Sequence, residues 1–351
     1  MPQDTLTCFI PSLDHEAAHK AQKHLDLLAK LPKSLGMLED LAVHLAAITG
    51  MERPLFPKKR VVLFAGDHHI SRQGVSASDP AVTVMQVRNF LRGGGCINAY
   101  CRNAGADLVV VDAGIMVDLP HEPDLTNLVR RKIIHGAKDF SLEPAMTRHE
   151  AMASIELGMD MAHQAAQDGV TLLAAGEMGI GNTSPSSAIV SVMTNTPLTK
   201  VTGKGGGLDC DGVQHKITVI QRGLDLHKPD ARDALDVLSK VGGAEIGAMA
   251  GLMLGGAALR IPVVVDGFIA GAAALLAAAI NPDVRHMLIG SHQSAETGHD
   301  ISMQQLGITT YLSLGLRLGE GTGAALMFPI IDAAVRILHE MEPLEAMERL
   351  V

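Results

Sequence analysis

Asp67, His68 and His69 stand in a row where the apolar run of "KRVVLFAGDHHIS" ends at Gly66. Carboxylate and imidazole side by side at a strand end are metal donors, and this tripeptide suits two-metal phosphoester hydrolysis. Such a site needs further Asp and His ligands at other strand ends, because two ions share bridging carboxylates. Asp112 in "VVVDAG" has no histidine beside it, and His292 in "GSHQSAE" reads as the polar start of a helix. The tripeptide is better read as a strand-end loop in which Asp67 bonds backbone or orients His68.

Three other stretches carry more chemistry. "GEMGIGNTSPSSA", Gly176 to Ala188, follows a strand and opens a helix, with Thr183 or Ser184 as cap and Pro185 in the first turn. Glycines there let a ligand approach backbone N–H groups at the positive end of a helix, which suits a phosphate. "VTGKGGGLD", Val201 to Asp209, is a second glycine-rich loop, and Lys216 follows it by a turn or two of helix. Neither loop has dinucleotide or Walker A spacing, so a mononucleotide fits better. Lys216 reads equally as an anion ligand and as a solvated helix residue. In "LRLGEGTGAAL", Leu316 to Leu326, Glu320 sits between two glycines before an apolar helix. A carboxylate in an apolar pocket is a general base with a raised pKa; the same residue at a helix start is an ordinary partner of the helix dipole. The pattern alone leaves both open. "IPVVVDGFIAGAA" faintly resembles a phosphoribosyl-pyrophosphate loop, but Asp266 has no second acid beside it. A pyrophosphate–magnesium donor is therefore disfavoured.

The elements that must position these residues read as an alternation. Two helices are expected between about Glu16 and Thr49, on either side of Pro32. Apolar strands are expected at 60–66, 106–114, 170–177, 261–268 and 286–291, with a weaker one at Leu198 to Thr202. Helices are expected at 82–102, 147–168, 185–194, 211–226, 239–259, 268–280 and 293–305, and a last one from Gly323 to about Glu342. This order predicts an α/β fold: a doubly wound, mostly parallel sheet with helices on both faces. Ligands in such folds bind beyond the carboxyl ends of the strands. The 351 residues, 47% hydrophobic with 36 glycines, suffice for one large domain or one large plus one small. A net charge of −9 without a basic block argues against nucleic acid. Four cysteines without a Cys-x-x-Cys pair support neither structural zinc nor a disulfide framework. The start "MPQDTLTCFIPSLDHE" lacks the apolar core of a signal peptide, and Arg260, Pro262 and Asp266 interrupt the most apolar region. A cytoplasmic protein without membrane association is the expectation.

Taken in order, these stretches resemble the nicotinate-nucleotide–dimethylbenzimidazole phosphoribosyltransferases, which activate the lower-ligand base of cobamides. The matching segments include "LPKSLGMLEDLAVHLA", "FAGDHHISRQGVSASDPAVTVMQ", "NFLRGGGCINAYCRNAGADLVVVDAGI", "GEMGIGNTSPSSA", "VLSKVGG", "IPVVVDGFIA", "SHQSAE" and "LRLGEGTGAALM". The resemblance implies a Rossmann-like catalytic domain over 56–329 and a small helical domain from 1–55 and 330–351. It implies a homodimer with no required metal or other cofactor. The implied reaction moves the 5-phosphoribosyl group of nicotinate mononucleotide to a benzimidazole nitrogen, giving the α-riboside 5′-phosphate and nicotinate. It makes Glu320 the catalytic base and puts Glu177 and Gly179 at the substrate. It places Gly203, Lys216 and Ser291 around the nucleotide phosphate or carboxylate, and Ser78, Gln86, Met178 and Leu318 around the acceptor base.

The chain departs from the family pattern at three places. Its Gly66-Asp67-His68-His69 replaces an Ala-Asp-His-Gly run, which sets His69 beside the base pocket; Asp79 stands where proline is common; and Lys204 with Gly205, Gly206 and Gly207 alters the second loop. The departures bear on the acceptor. A phenol or p-cresol acceptor, used by a branch that pairs two paralogous subunits, stays open beside benzimidazole. So does a non-catalytic partner subunit of such a heterodimer, although Glu320 argues against it.

Overall fold

The computed structural model describes residues 8–122 and 125–348. Helices α1 (His15–Leu27) and α2 (Met37–Thr49) come first, and Asp14 caps α1 by accepting the Ala17 N–H at 2.8 Å. The alternating part then begins with β1 (Lys59–Gly66), α3 (Ala81–Leu91), α4 (Cys96–Ala104), β2 (Ala106–Gly114) and β3 (Leu128–Arg130). It continues through α5 (Arg148–Gln167), β4 (Leu172–Met178), α6 (Thr183–Thr194), α7 (Leu198–Val201) and α8 (Cys210–His227). Next come α9 (Ala234–Val241), α10 (Ala244–Ala258), β5 (Val263–Val265), α11 (Phe268–Ile280), β6 (Leu288–Gly290) and α12 (His299–Leu306). Helices α13 (Thr322–Glu340) and α14 (Leu344–Glu348) close the described chain.

Six strands pair in the order β3-β2-β1-β4-β5-β6, and every pairing is parallel. Strand order reverses direction at β1 and β4, so the crevice between their carboxyl ends is the natural ligand site. All of β1 and β4 is buried, as near-continuous apolar strands covered on both faces must be. Helices α10 and α11 are buried along almost their whole length, which explains why their sequences are apolar all round. A separate apolar cluster joins Leu25, Leu28 and Ala42 to Leu338. There the two ends of the chain meet: Leu28 bridges Pro343, and His24 Nε2 lies 3.0 Å from the Leu338 carbonyl.

Several boundaries differ from the sequence expectation. Leu198–Val201 is a single helical turn instead of a weak strand. The expected helix at 239–259 is two helices parted at Gly242–Gly243, and that at 82–102 is parted at Gly93–Gly95; glycine pairs and triplets end helices cheaply. The stretch before His299 is not helical, and His292 instead bridges Leu312 beside the sheet. Strand β3 was not expected, since three residues carry no readable period. Helix α13 is apolar and long enough to cross a membrane, but 56% of its apolar window is buried inside the fold. Its Met327, Phe328 and Ile331 are wholly buried.

Candidate active site

The Asp67-His68-His69 tripeptide is held by structural contacts. Asp67 Oδ2 accepts the Met116 N–H at 2.8 Å, as expected of a backbone-bonding role. His68 is oriented by Glu245 rather than by Asp67, with Nε2 2.6 Å from Glu245 Oε1. Asp112 accepts the Ile115 N–H at 2.9 Å and lies 3.6 Å from the Lys132 ammonium. Among the described residues, no three His, Cys, Asp or Glu side chains converge as a metal site. His69 packs against Gly136, where a Cβ would meet its ring at 3.0 Å, and does not line the cavity described next. The placement of His69 beside the base pocket is thus corrected. Asp79 is exposed and accepts the Ala81 N–H at 2.8 Å.

A cavity of about 430 Å³ opens beyond the carboxyl ends of β4 and β5. Its walls come from the end of β4, the start of α11, the loops after β1 and β6, and the turn that leads into α13. Seven residues singled out in the sequence line it: Glu177, Met178 and Gly179 from β4 and its loop, Ser78 and Gln86 around the start of α3, and Leu318 and Glu320 before α13. Gly203, Lys216 and Ser291 stand one layer behind the wall. Gly203 packs against the Glu296 carboxylate, and a Cβ there would collide with it. Lys216 is 1% exposed and donates to Thr183 Oγ1 at 2.7 Å, and Thr183 lines the cavity. Ser291 Oγ donates to the Asp266 carbonyl at 3.1 Å.

Glu320 is held in an unusual backbone. Gly319, Glu320 and Gly321 have φ of 83°, 64° and 82°, three left-handed residues in succession. Glycine adopts this freely, whereas a residue with a Cβ resists it at a cost of roughly 1–2 kcal/mol. The turn is overdetermined by its surroundings. The Glu320 N–H donates to Glu177 Oε1 at 3.3 Å, and Gly176 of β4 lies so close that a Cβ there would meet the Glu320 carbonyl oxygen at 2.7 Å. The Glu320 carboxyl is 6% exposed at the residue level, and its Oε2 has no partner. Burial, and secondarily the Asp266 charge, push its pKa up to about 7.

That geometry bears on the helix-partner reading of Glu320. The first amides of α13 do not use Glu320; they donate to Asp266 at the end of β5. The Gly321 N–H meets Asp266 Oδ2 at 3.1 Å and the Ala324 N–H meets Oδ1 at 3.0 Å. Glu320 is among the residues that line the cavity, and one of its carboxyl oxygens, Oε2, is buried without a partner. Glu177 is a different kind of acid: Oε2 accepts from Asn182 Nδ2 at 2.5 Å, and burial raises its pKa to about 8. Burial raises both carboxyls, and the Asn182 side chain and the Glu320 N–H on the two Glu177 oxygens oppose that rise at Glu177. Burial also lowers the Lys216 pKa, to about 8.

Residues 10–347 match the sequence profile of a family described as phosphoribosyltransferase. The chain belongs to this phosphoribosyltransferase family. It is 49% identical over 332 residues to a nicotinate-nucleotide–dimethylbenzimidazole phosphoribosyltransferase of Chloroflexus aggregans, covering 95% of this chain and 93% of that one. It is 49% identical over 338 residues to the protein of the same name in Roseiflexus castenholzii, covering 96% and 95%. The crystal structure of the enzyme so named from Thermus thermophilus superposes with a TM-score of 0.89 at 38% identity, covering 96% of this chain and 99% of that one. The α/β fold and the phosphoribosyltransferase assignment expected from the motifs therefore stand.

Within this phosphoribosyltransferase, the lining residues that the sequence did not assign to the site include Asn182, Thr183, Glu296 and Arg317. Asn182 and Thr183 lie in the quoted "GEMGIGNTSPSSA", where their place at a helix start was the available signal. Glu296 and Arg317 lie in irregular loops, where no periodicity orients a side chain. Asp266 was read as half of a missing acidic pair; its capping partner is a helix distant in sequence, and no local pattern announces such a contact.

Proposed function

We propose that this phosphoribosyltransferase moves the 5-phosphoribosyl group of nicotinate mononucleotide onto a ring nitrogen of 5,6-dimethylbenzimidazole or a related base. The Glu320 carboxyl in the cavity wall, with one buried oxygen unpartnered and its pKa raised by burial, carries this reading. The C1′–nitrogen bond of the donor breaks with its electron pair going to the pyridinium, which leaves as neutral-ring nicotinate, so departure needs no acid. The acceptor nitrogen bonds C1′ from the opposite face and inverts it. The benzimidazole then carries one proton too many, and Glu320 takes it. A positioned base of this kind contributes about 10²–10⁴-fold in rate.

The remaining wall suits the other parts of the substrates. Gly205, Gly206 and Gly207, with Thr183 backed by Lys216, form the end suited to the phosphate, where amides and a buried cation meet an anion. Arg317 adds a second cation at the mouth. Met178, Val82 and Leu318 are apolar surfaces for a flat aromatic acceptor, with Ser78 and Gln86 as its polar contacts. We read α1, α2 and the end of α13 as a small helical domain, supported by their shared apolar cluster. The family resemblance supports a homodimer.

The direct test of the base is Glu320→Gln. Turnover falls at least about a hundredfold while nicotinate mononucleotide still binds within a few-fold of the wild-type Kd. Near-normal turnover in that variant would remove Glu320 from the mechanism.

A further inference from the structure

Asp266 is 4% exposed, sits at the end of β5 and forms part of the cavity wall. Its two oxygens reach across to a different element. They accept the Gly321 and Ala324 N–H groups at 3.1 and 3.0 Å and so occupy the N-terminus of α13 from outside that helix. A helix with no side-chain cap of its own leaves several N–H groups without partners. Here Gly321 occupies the cap position with φ 82° and offers no side chain. The carboxylate of Asp266 supplies what the local sequence lacks, at the residue adjoining Glu320.

We propose that Asp266 is the positioning residue for the base: it clamps, from the neighbouring strand, the backbone turn that presents Glu320. The proposal rests on the reading of Glu320 as base. Two consequences follow from one carboxylate. The clamp fixes a turn of three left-handed residues that would otherwise relax, since the middle one carries a side chain. The clamp is also charged. A negative group beside Glu320 disfavours a second negative charge there and makes that carboxylate a stronger base. Burial brings the Asp266 pKa up to about 6, against the opposing pull of the Ala324, Gly321, Gly323 and Gly267 amides. The Gly321 and Ala324 amides on its two oxygens favour the ionised form of Asp266.

The charged and titratable groups around this pair come from every strand end near it. Glu177 on β4 is raised by burial and accepts from the Asn182 side chain and the Glu320 N–H. Glu245, at the start of α10, is paired with His68. His292, after β6, has Nδ1 4.0 Å from Asp266 Oδ1, and burial lowers its pKa, so it is neutral above pH 7. His299 of α12 stacks on His292 at 6.0 Å and is lowered likewise by burial. Arg317 lies on the cavity side.

Asp266→Asn keeps the shape and one acceptor oxygen and removes the charge. The expected result is a kcat at least about tenfold lower at pH 8, with the KM for nicotinate mononucleotide within about threefold. The acid limb of the kcat–pH profile moves to lower pH by about half a unit or more, because Glu320 ionises more readily without its neighbour. An unmoved limb, or a KM that rises as much as kcat falls, overturns the proposal. A second measurement needs no variant of Asp266 to fold. In wild-type protein carrying ¹³C-carboxyl glutamate, with the Glu320 signal identified by its loss in Glu320→Gln, that signal shows a second inflection as the neighbouring Asp266 titrates. A single inflection overturns the proposal. This signal reports charge and not turnover, so it stands or falls separately from the role of Glu320 as base.

Discussion

At Glu320 the protein holds a charged side chain in a backbone conformation that glycine would adopt at no cost. The strain is tolerated because Glu177, Gly176 and Asp266 each fix part of the turn. Two acids in one cavity then differ in their surroundings, Glu177 hydrogen-bonded through both oxygens, Glu320 with one oxygen unpartnered. On the acceptor side, Gln86 lies one helical turn beyond Val82, and both face the cavity. Its Oε1 accepts from Asn89 at 3.1 Å, which leaves its amide N–H groups for a ligand. Gln86→Leu raises the KM of the native acceptor about tenfold, matching roughly 1–3 kcal/mol for an unmet polar group, and leaves the KM of the nucleotide unchanged. If both KM values rise together with a fall in Tm, Gln86 only ties the loop to its helix. The residue types of the site were legible because carboxylates and glycines stand out in an apolar chain. The choice between base and helix partner for Glu320 was not, because the competing partner, Asp266, lies on another strand.

The elements explain how that partner arrives. Strand β4 passes directly beneath the turn, and Gly176 is there because no larger residue fits against the Glu320 carbonyl. Gly176→Ala, with its Cβ 2.7 Å from that oxygen before relaxation, displaces the turn and not the phosphate end of the cavity. Turnover falls about tenfold or more while the nucleotide Kd changes little; unaltered turnover would show that the turn tolerates movement. Strands and helices with a long apolar period were readable in the chain: β1, β2, β4, α5 and α11 lie within a few residues of their expected bounds. Shorter pieces were not. Leu198–Val201 has β-like composition yet packs as a helical turn, and β3 is too brief to show alternation. Irregular chain at 292–298 keeps its shape through bonds to another loop, such as Gln293 N–H to the Leu312 carbonyl at 2.8 Å, which sequence periodicity does not encode.

In the whole molecule, the cavity lies at the carboxyl ends of β4 and β5, beside the point where strand order reverses, and seven residues singled out in the sequence converge on it from three separate regions of chain. Helix α13 links that cavity to the cluster formed by the two chain ends, because its first turn is held by Asp266 and its Leu338 packs with Leu25, Leu28 and Ala42. The sheet and its site thus follow from one arrangement. The family and fold fix a phosphoribosyltransferase; of the three departures, His69 and Asp79 lie outside the cavity wall, whereas Gly205, Gly206 and Gly207 of the second loop line it. The central claim is the transfer itself, and product analysis of the purified chain tests it most directly. Supplied with nicotinate mononucleotide and equal amounts of 5,6-dimethylbenzimidazole and phenol, the protein yields nicotinate and the α-anomeric benzimidazole riboside 5′-phosphate in equal amounts. A phenolic riboside as the main product, or release of nicotinate without any glycosylated acceptor, would contradict the account.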